Sequence, residues 1–219
     1  MSNSTEKESD NLLSTGIISN EYQMKQFIAK NYDSKCFKDW KYKLRLGGEI
    51  YISTAETAQN LKEGDLVVIK PGDFVLLQTE EIIKLDNSTM AFISMRFDYK
   101  QKGLINVSGF HVDPNYYGHL IFSAFNAGPK DIILRRGDEV FMIFFEKLQT
   151  SIEDKKNKDH IEYEHIPSNM IEQIRGKSIT LTDNSIRLRN LEIYFKVFLA
   201  VVIPIMVAIL SWLFNMINK

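Results

Sequence analysis

Two stretches set cations beside aromatic rings: "KDWKYKLR", with Trp40, Lys41, Tyr42, Lys43 and Arg45, and "RFDYKQK", with Arg96, Phe97, Tyr99, Lys100 and Lys102. Rings that stack on bases and cations that hold phosphate are what nucleotide or single-stranded nucleic-acid binding requires. Either stretch alone is better explained by a strand with its rings inward and its lysines in solvent. Lys+Arg is 27 against Asp+Glu 28, a net charge of −1, so binding to nucleic acid or acidic lipid needs a local patch.

Metal chemistry is poorly supplied. If extended, "DHIEYEH" puts His160, Glu162 and Glu164 on one face with His165 beside them, but no closed ligand set completes it, and a solvated charge run describes it better. His111 and His119 have no cysteine or third histidine near them, so each is expected to be packed or at the surface. Cys36 is the only cysteine, which excludes an internal disulfide, suits a reducing compartment and predicts a buried, inert thiol. No metal or other cofactor is expected.

The elements that must position these residues read as mostly β. Asn20 can cap a helix running to about Lys30, with Gln23 reaching back as in a capping box. From Trp40 onward short strand-like runs follow one another between turns: "YKLRL", "DLVVI" after Gly64, "FVLL" after Pro71-Gly72, "AFISM", "HLIFSAF", "DIIL", and "VFMIFF" after Gly137. Their spacing predicts an all-β sandwich or barrel-like domain, and the successive apolar residues in several runs suit strands buried on both faces or in a subunit interface. There is no internal repeat. A polar, acidic leader over 1–15, a domain over 16–148, a mixed-charge linker over 149–190 and an anchor over 191–219 complete the organisation.

Seven pieces in order carry a family resemblance: "GIISN", "YKLRLG", "IKPGDFVLLQTEE", "KGLI", "VDPNYYG", "FNAGP" and "ILRRGDEVFMIFFE", from Gly16 to Glu146. Together they resemble the dCTP deaminase and dUTPase superfamily. That resemblance implies a distorted jelly-roll-like β fold with a short N-terminal helix, usually a homotrimer, with sites for deoxyribonucleoside triphosphates between subunits. Asp113 then matches the aspartate that orients the attacking water in dUTPases, and Tyr116 the ring under the deoxyribose; a carboxylate suits that task because it can accept the water's proton. The glutamate that shuttles protons in dCTP deaminases is replaced by Ser123. The family's phosphate-holding "SSxxRxG" is also altered: "SMRFDYKQKG" has Gln101 two residues before Gly103, leaving Arg96, Lys100 or Lys102 as candidate phosphate ligands. With Ser123 and Asn126 of "FNAGP", these residues make up the expected ligand site. The usual "DPG" reads "DPN", where Asn115 can take the left-handed turn. The resemblance implies a retained fold without deaminase catalysis.

Val197 to Ile217 runs without a charge, and its 21 residues cover about 31 Å as a helix, the thickness of a bilayer core. Pro204 is tolerated mid-span in a membrane helix. Arg187, Arg189 and Lys196 precede the run and Lys219 follows it, which places the large domain in the cytoplasm as a single-pass inner-membrane protein. Ala200, Pro204, Ala208 and Ser211 form a small-residue face for helix packing. The combination resembles membrane effectors of bacterial anti-phage defence: a homo-oligomeric sensor of a deoxynucleotide or short single-stranded DNA, with a partner protein producing the signal, whose state controls a pore. The alternatives are a membrane-tethered dUTP or dCTP pyrophosphatase using Asp113, and a trimeric scaffold.

Overall fold

The computed structural model describes residues 15–152, 163–176 and 181–217. The chain divides near residue 178 into two units, a β domain and a single helix. The leader, apart from Thr15, lies outside the described residues, as do His160, Glu162 and Lys219.

The domain opens with β1 (Gly16–Ile17) and helix α1 (Glu21–Lys25). The Asn20 side chain caps α1 by accepting from the N–H groups of Tyr22 and Gln23. The expected helix to Lys30 is corrected here: it stops at Lys25, and β2 (Ile28–Lys30) pairs with β7 (Phe74–Lys84). Phe27 and Ile28 are buried on that sheet, so tertiary packing overrides the local helical pattern.

After β3 (Phe37–Lys38) comes β4 (Lys41–Ile52), which organises the whole domain. Its first half, Tyr42 to Arg45, pairs with β13 (Glu139–Lys147), and its second half pairs with β7. The change of partner falls between Arg45 and Leu46, and the pairing with β7 is irregular across Gly47-Gly48. A Cβ on Gly47 would lie 2.5 Å from the Thr79 carbonyl oxygen, so only glycine lets the two strands approach this closely. With β8 (Thr89–Met95), β9 (Leu104–Asn106), β10 (His111–Val112) and β11 (Tyr117–Asn126), the strands follow one another as β10-β8-β13-β4-β7-β11-β9. β1 lies on β13, β2 on β7, and β3 and β5 (Gln59–Asn60) on β4; β6 (Leu66–Ile69) and β12 (Ile132–Arg135) form a separate pair.

Turns between strands reuse one device. In "KPGD", Gly72 takes φ 86°, Asp73 N–H donates to the Lys70 carbonyl at 3.0 Å, and the Asp73 carboxylate accepts from Lys70 N–H at 2.9 Å. Asp65 and Asp138 close "KEGD" and "RRGD" in the same way.

The core lies between the two halves of the curled sheet. β11 alternates strictly: Gly118, Leu120, Phe122, Ala124 and Asn126 are buried, while Tyr117, His119, Ile121, Ser123 and Phe125 are half-buried on the other face. Phe122 stacks on Phe141 of β13, with centroids 3.9 Å apart and planes 12° apart. Cys36 is buried, and burial raises its thiol pKa, which keeps it unreactive.

Residues 163–176, placed by sequence in the linker, dock on the outer face of β4 and β7 as a strap carrying helix α3 (Ser168–Ile174). Ile166 is 5% exposed against Tyr51 and Leu76, and Met170, Ile171 and Ile174 pack around it. The second unit is helix α4 (Leu181–Ile217), which begins inside the expected linker and runs through Pro204. Its portion from Arg187 to Ile217 is long and apolar enough to cross a membrane. Ala200, Pro204, Ala208 and Ser211 are exposed and share one face by helical spacing.

Candidate functional site

The turn between β10 and β11 presents the chemistry. Asn115 adopts φ 66°, as the DPN reading requires, and its N–H donates to the Asp86 carbonyl at 3.1 Å. This turn projects the Asp113 side chain outward, 83% exposed, with a carboxylate oxygen 3.5 Å from His111 Nε2. Tyr116 points the other way: it packs against the core, and its hydroxyl donates to the His119 carbonyl. Burial, and then the neighbouring Tyr163, push its phenol pKa upward, so it stays neutral.

A cleft of about 220 Å³ joins these groups. His111, Asp113, Tyr116 and Ile121 line one side, and Tyr163 and Met170 of the strap line the other. The other expected ligand residues lie elsewhere. Ser123 does not line the cleft; it lies two residues beyond Ile121 on the same face of β11. Asn126 is fully buried and structural: its amide nitrogen donates to the carbonyls of Ile69 and Lys130, both at 2.9 Å, and its oxygen accepts from Gly128 N–H. Those bonds occupy both ends of the amide, and Asn126 does not line the cleft.

Arg96, Lys100 and Lys102 also lie outside the cleft lining. "RFDYKQK" is not a strand but helix α2 (Phe97–Gln101), with Tyr99 packed on the core and Phe97 exposed. Arg96 Nη1 bonds the Glu139 carboxylate at 2.9 Å, and Nη2 bonds Asp98 at 2.8 Å. Lys100 donates to Ser94 Oγ at 2.8 Å, and Lys102 sits 5.1 Å from the Tyr99 ring centroid. None of these three residues joins Asp113 and Tyr116 in lining the cleft. Among the described residues no three His, Cys, Asp or Glu side chains cluster to hold a metal.

A buried ion pair stiffens the sheet beneath. Glu81 is fully buried and receives Arg45 Nε at 2.8 Å and Arg45 N–H at 2.9 Å. Burial pushes the Glu81 carboxyl pKa up, and the Arg45 bonds pull against that.

Sequence reasoning missed Tyr163, Met170, Glu49 and Gln78. The helical spacing of Met170, Ile171 and Ile174 signalled an apolar face. Nothing signalled where that face docks.

Residues 12–148 match the family described as "DCD: dCTP deaminase-like", and the chain belongs to that family. It is 30% identical over 125 residues to the dCTP deaminase of Pyrococcus abyssi, covering 57% of this chain and 79% of that one. It is 33% identical over 107 residues to the dCTP deaminase of Pyrobaculum arsenaticum, covering 43% and 60%. The crystal structure of 2'-deoxycytidine 5'-triphosphate deaminase from Agrobacterium tumefaciens superposes with a TM-score of 0.53 at 15% identity, over 61% of this chain and 49% of that chain. The fold is therefore the mainly β, distorted jelly-roll-like one of dCTP deaminases and dUTPases. The family match ends at 148, ahead of the strap and of α4.

Proposed function

We propose that the domain is a non-enzymatic sensor of a deoxynucleotide or short oligodeoxynucleotide, held at the inner membrane by α4 with the domain in the cytoplasm. The observation that carries this reading is Ser123. The family resemblance places a proton-shuttling glutamate there, and a hydroxyl near its ordinary pKa cannot move protons to a departing amine at neutral pH. Asp113 and Tyr116 still line a cleft, which supports binding without deamination.

That Arg96, Lys100 and Lys102 do not line the cleft fits a homotrimer in which a neighbouring subunit completes each site. Ligand state then selects between arrangements of the assembled helices, which requires different affinity for each arrangement. Arg187, Arg189 and Lys196 on the N-terminal side of the apolar run support the orientation. By analogy of architecture, the role is a pore-forming or membrane-disrupting effector in anti-phage defence, served by a signal-producing partner.

Calorimetry of the detergent-solubilised chain with dCTP, dUTP and a short oligodeoxythymidine tests the binding, and membrane potential in expressing cells tests the output. The reading predicts heat from at least one probe, no uracil nucleotide formed from dCTP, and depolarisation that depends on ligand. A second reading has one observation in its favour, the exposed Asp113 carboxylate at the cleft mouth. It makes the protein a dUTP or dCTP pyrophosphatase whose Mg²⁺ arrives with the phosphates. Pyrophosphate release abolished by Asp113→Asn would establish that enzyme and displace the sensor.

A further inference from the structure

We infer that the Tyr163–Gly176 strap occupies space that a bound nucleotide needs, so that nucleotide binding displaces it and frees the chain leading into α4. This rests on the nucleotide-binding reading above and adds its regulation.

Size makes the first argument. Pockets that enclose drug-sized ligands run to about 300–1,000 Å³, whereas the cleft holds about 220 Å³ with Tyr163 and Met170 as one wall. With Tyr163 and Met170 in place the cleft is smaller than such a pocket. Position makes the second argument. Ile121 lines the cleft and also packs in the apolar cluster of the strap. A ligand extending from Asp113 and Tyr116 along β11 toward position 123 therefore meets the strap at Ile121.

The fastenings are those of a releasable element. Glu164 gives its carbonyl to Gln78 Nε2 at 2.9 Å, and Ile166 N–H donates to the Glu49 carboxylate at 2.8 Å, with His165 Nδ1 3.3 Å from the same oxygen. At the far end Arg175 Nη2 donates to the Glu56 carbonyl at 2.6 Å, and Gly176 N–H to the Ser53 carbonyl at 2.9 Å. Glu49 and Gln78 are polar groups that water can serve once the strap lifts, so opening leaves no buried group unpaired. Ile166 is the one deeply buried apolar anchor. At seven residues α3 is too short to persist away from the sheet, since isolated helices under about 12–15 residues are marginal in water. Lifting therefore melts it and lengthens the tether between domain and helix.

A strap closed about ten times as often as it is open weakens apparent affinity about tenfold relative to the open cleft. The test compares the wild-type full chain in detergent with Ile166→Ser, which loosens the apolar anchor, and Gln78→Ala, which removes one fastening alone. Binding of dCTP and dUTP is measured by calorimetry, and amide hydrogen exchange is followed over 163–176. The expected results are about tenfold tighter nucleotide binding by Ile166→Ser, a smaller gain for Gln78→Ala, and nucleotide-accelerated exchange of the Ile166 and Gly176 amides in the wild type. Binding by Ile166→Ser with none by the wild type also supports the closed strap. Nucleotide binding that leaves those amides unchanged or slower, with equal affinity in all three proteins, overturns the strap inference and leaves nucleotide sensing intact. Absence of binding in every variant overturns both.

Discussion

Replacing Arg45 with alanine removes the cation that faces a fully buried carboxylate. Breaking a buried pair from one side costs about 3–5 kcal/mol, because the remaining charge is desolvated without compensation. Here the lower end applies: Glu81 keeps the residue-45 backbone N–H at 2.9 Å, and Arg45 itself is 22% exposed. A loss of about 3 kcal/mol lowers the melting temperature of a domain this size by on the order of 10 °C. The loss also depends on pH. Burial already raises the Glu81 pKa, and without Arg45 it rises further above the unfolded value of about 4.3. A group raised on folding contributes stability below its unfolded pKa and loses it as pH rises through the folded pKa. The Arg45→Ala deficit is therefore largest near pH 8 and shrinks toward pH 5, as Glu81 folds protonated. Trp40 and Trp212 are the two tryptophans, so a Trp212→Phe background lets fluorescence report unfolding of the β domain alone. Equal deficits at pH 5 and pH 8 would refute the account of Glu81 as the stranded charge.

Two further perturbations test other parts of the domain. Gly103 has φ 98°, and a Cβ there would lie 2.4 Å from Gly128 Cα, so Gly103→Ala meets both a strained backbone and an immovable one. It is expected to cost more than about 3 kcal/mol and to abolish soluble expression of the folded domain, whereas alanine at Gly109, which has open space, leaves the melting temperature within a few degrees. Asp86 is held near a pKa of about 2; burial alone would raise it, but the Lys147 ammonium at 2.7 Å and bonds from Ser88 outweigh that. Its lowered pKa gives stability above about pH 4 that disappears as pH falls toward 2. Because the group is 46% exposed, Asp86→Asn is expected to lose at most about 1 kcal/mol by urea unfolding at pH 7, and nothing near pH 2.

Much of the β domain was legible because its strands carry local signals. "DLVVI", "FVLL", "DIIL" and "VFMIFF" lie in β6, β7, β12 and β13, and the Gly-Asp turns between them lock through bonds spanning only three residues. Where partners are remote, the reading failed. Phe27 and Ile28 follow a helical pattern until β7 claims them, and "RFDYKQK" looks extended until Tyr99 finds the core. The structural use of Asn126 was hidden because one of its bonds, to the Ile69 carbonyl, spans 57 residues. Asp113 and Tyr116 do line one cleft, but nothing local to the charged stretch after 148 reveals that Ile166 has a seat on Tyr51 and Leu76.

The two-partner strand β4 imposes an order on biosynthesis. Its first half has no neighbour on one side until β13 exists, and β13 also supplies the partner for β1, Gly16 against Lys147. The domain therefore cannot close on the ribosome until Lys147 has emerged. At about 5–20 residues per second, the roughly 34 residues from Lys147 to the start of α4 take about 2–7 s to make. That interval separates completion of the domain's strands from synthesis of the long apolar helix, and slowing translation across 149–180 should favour closure of the domain before α4 is made.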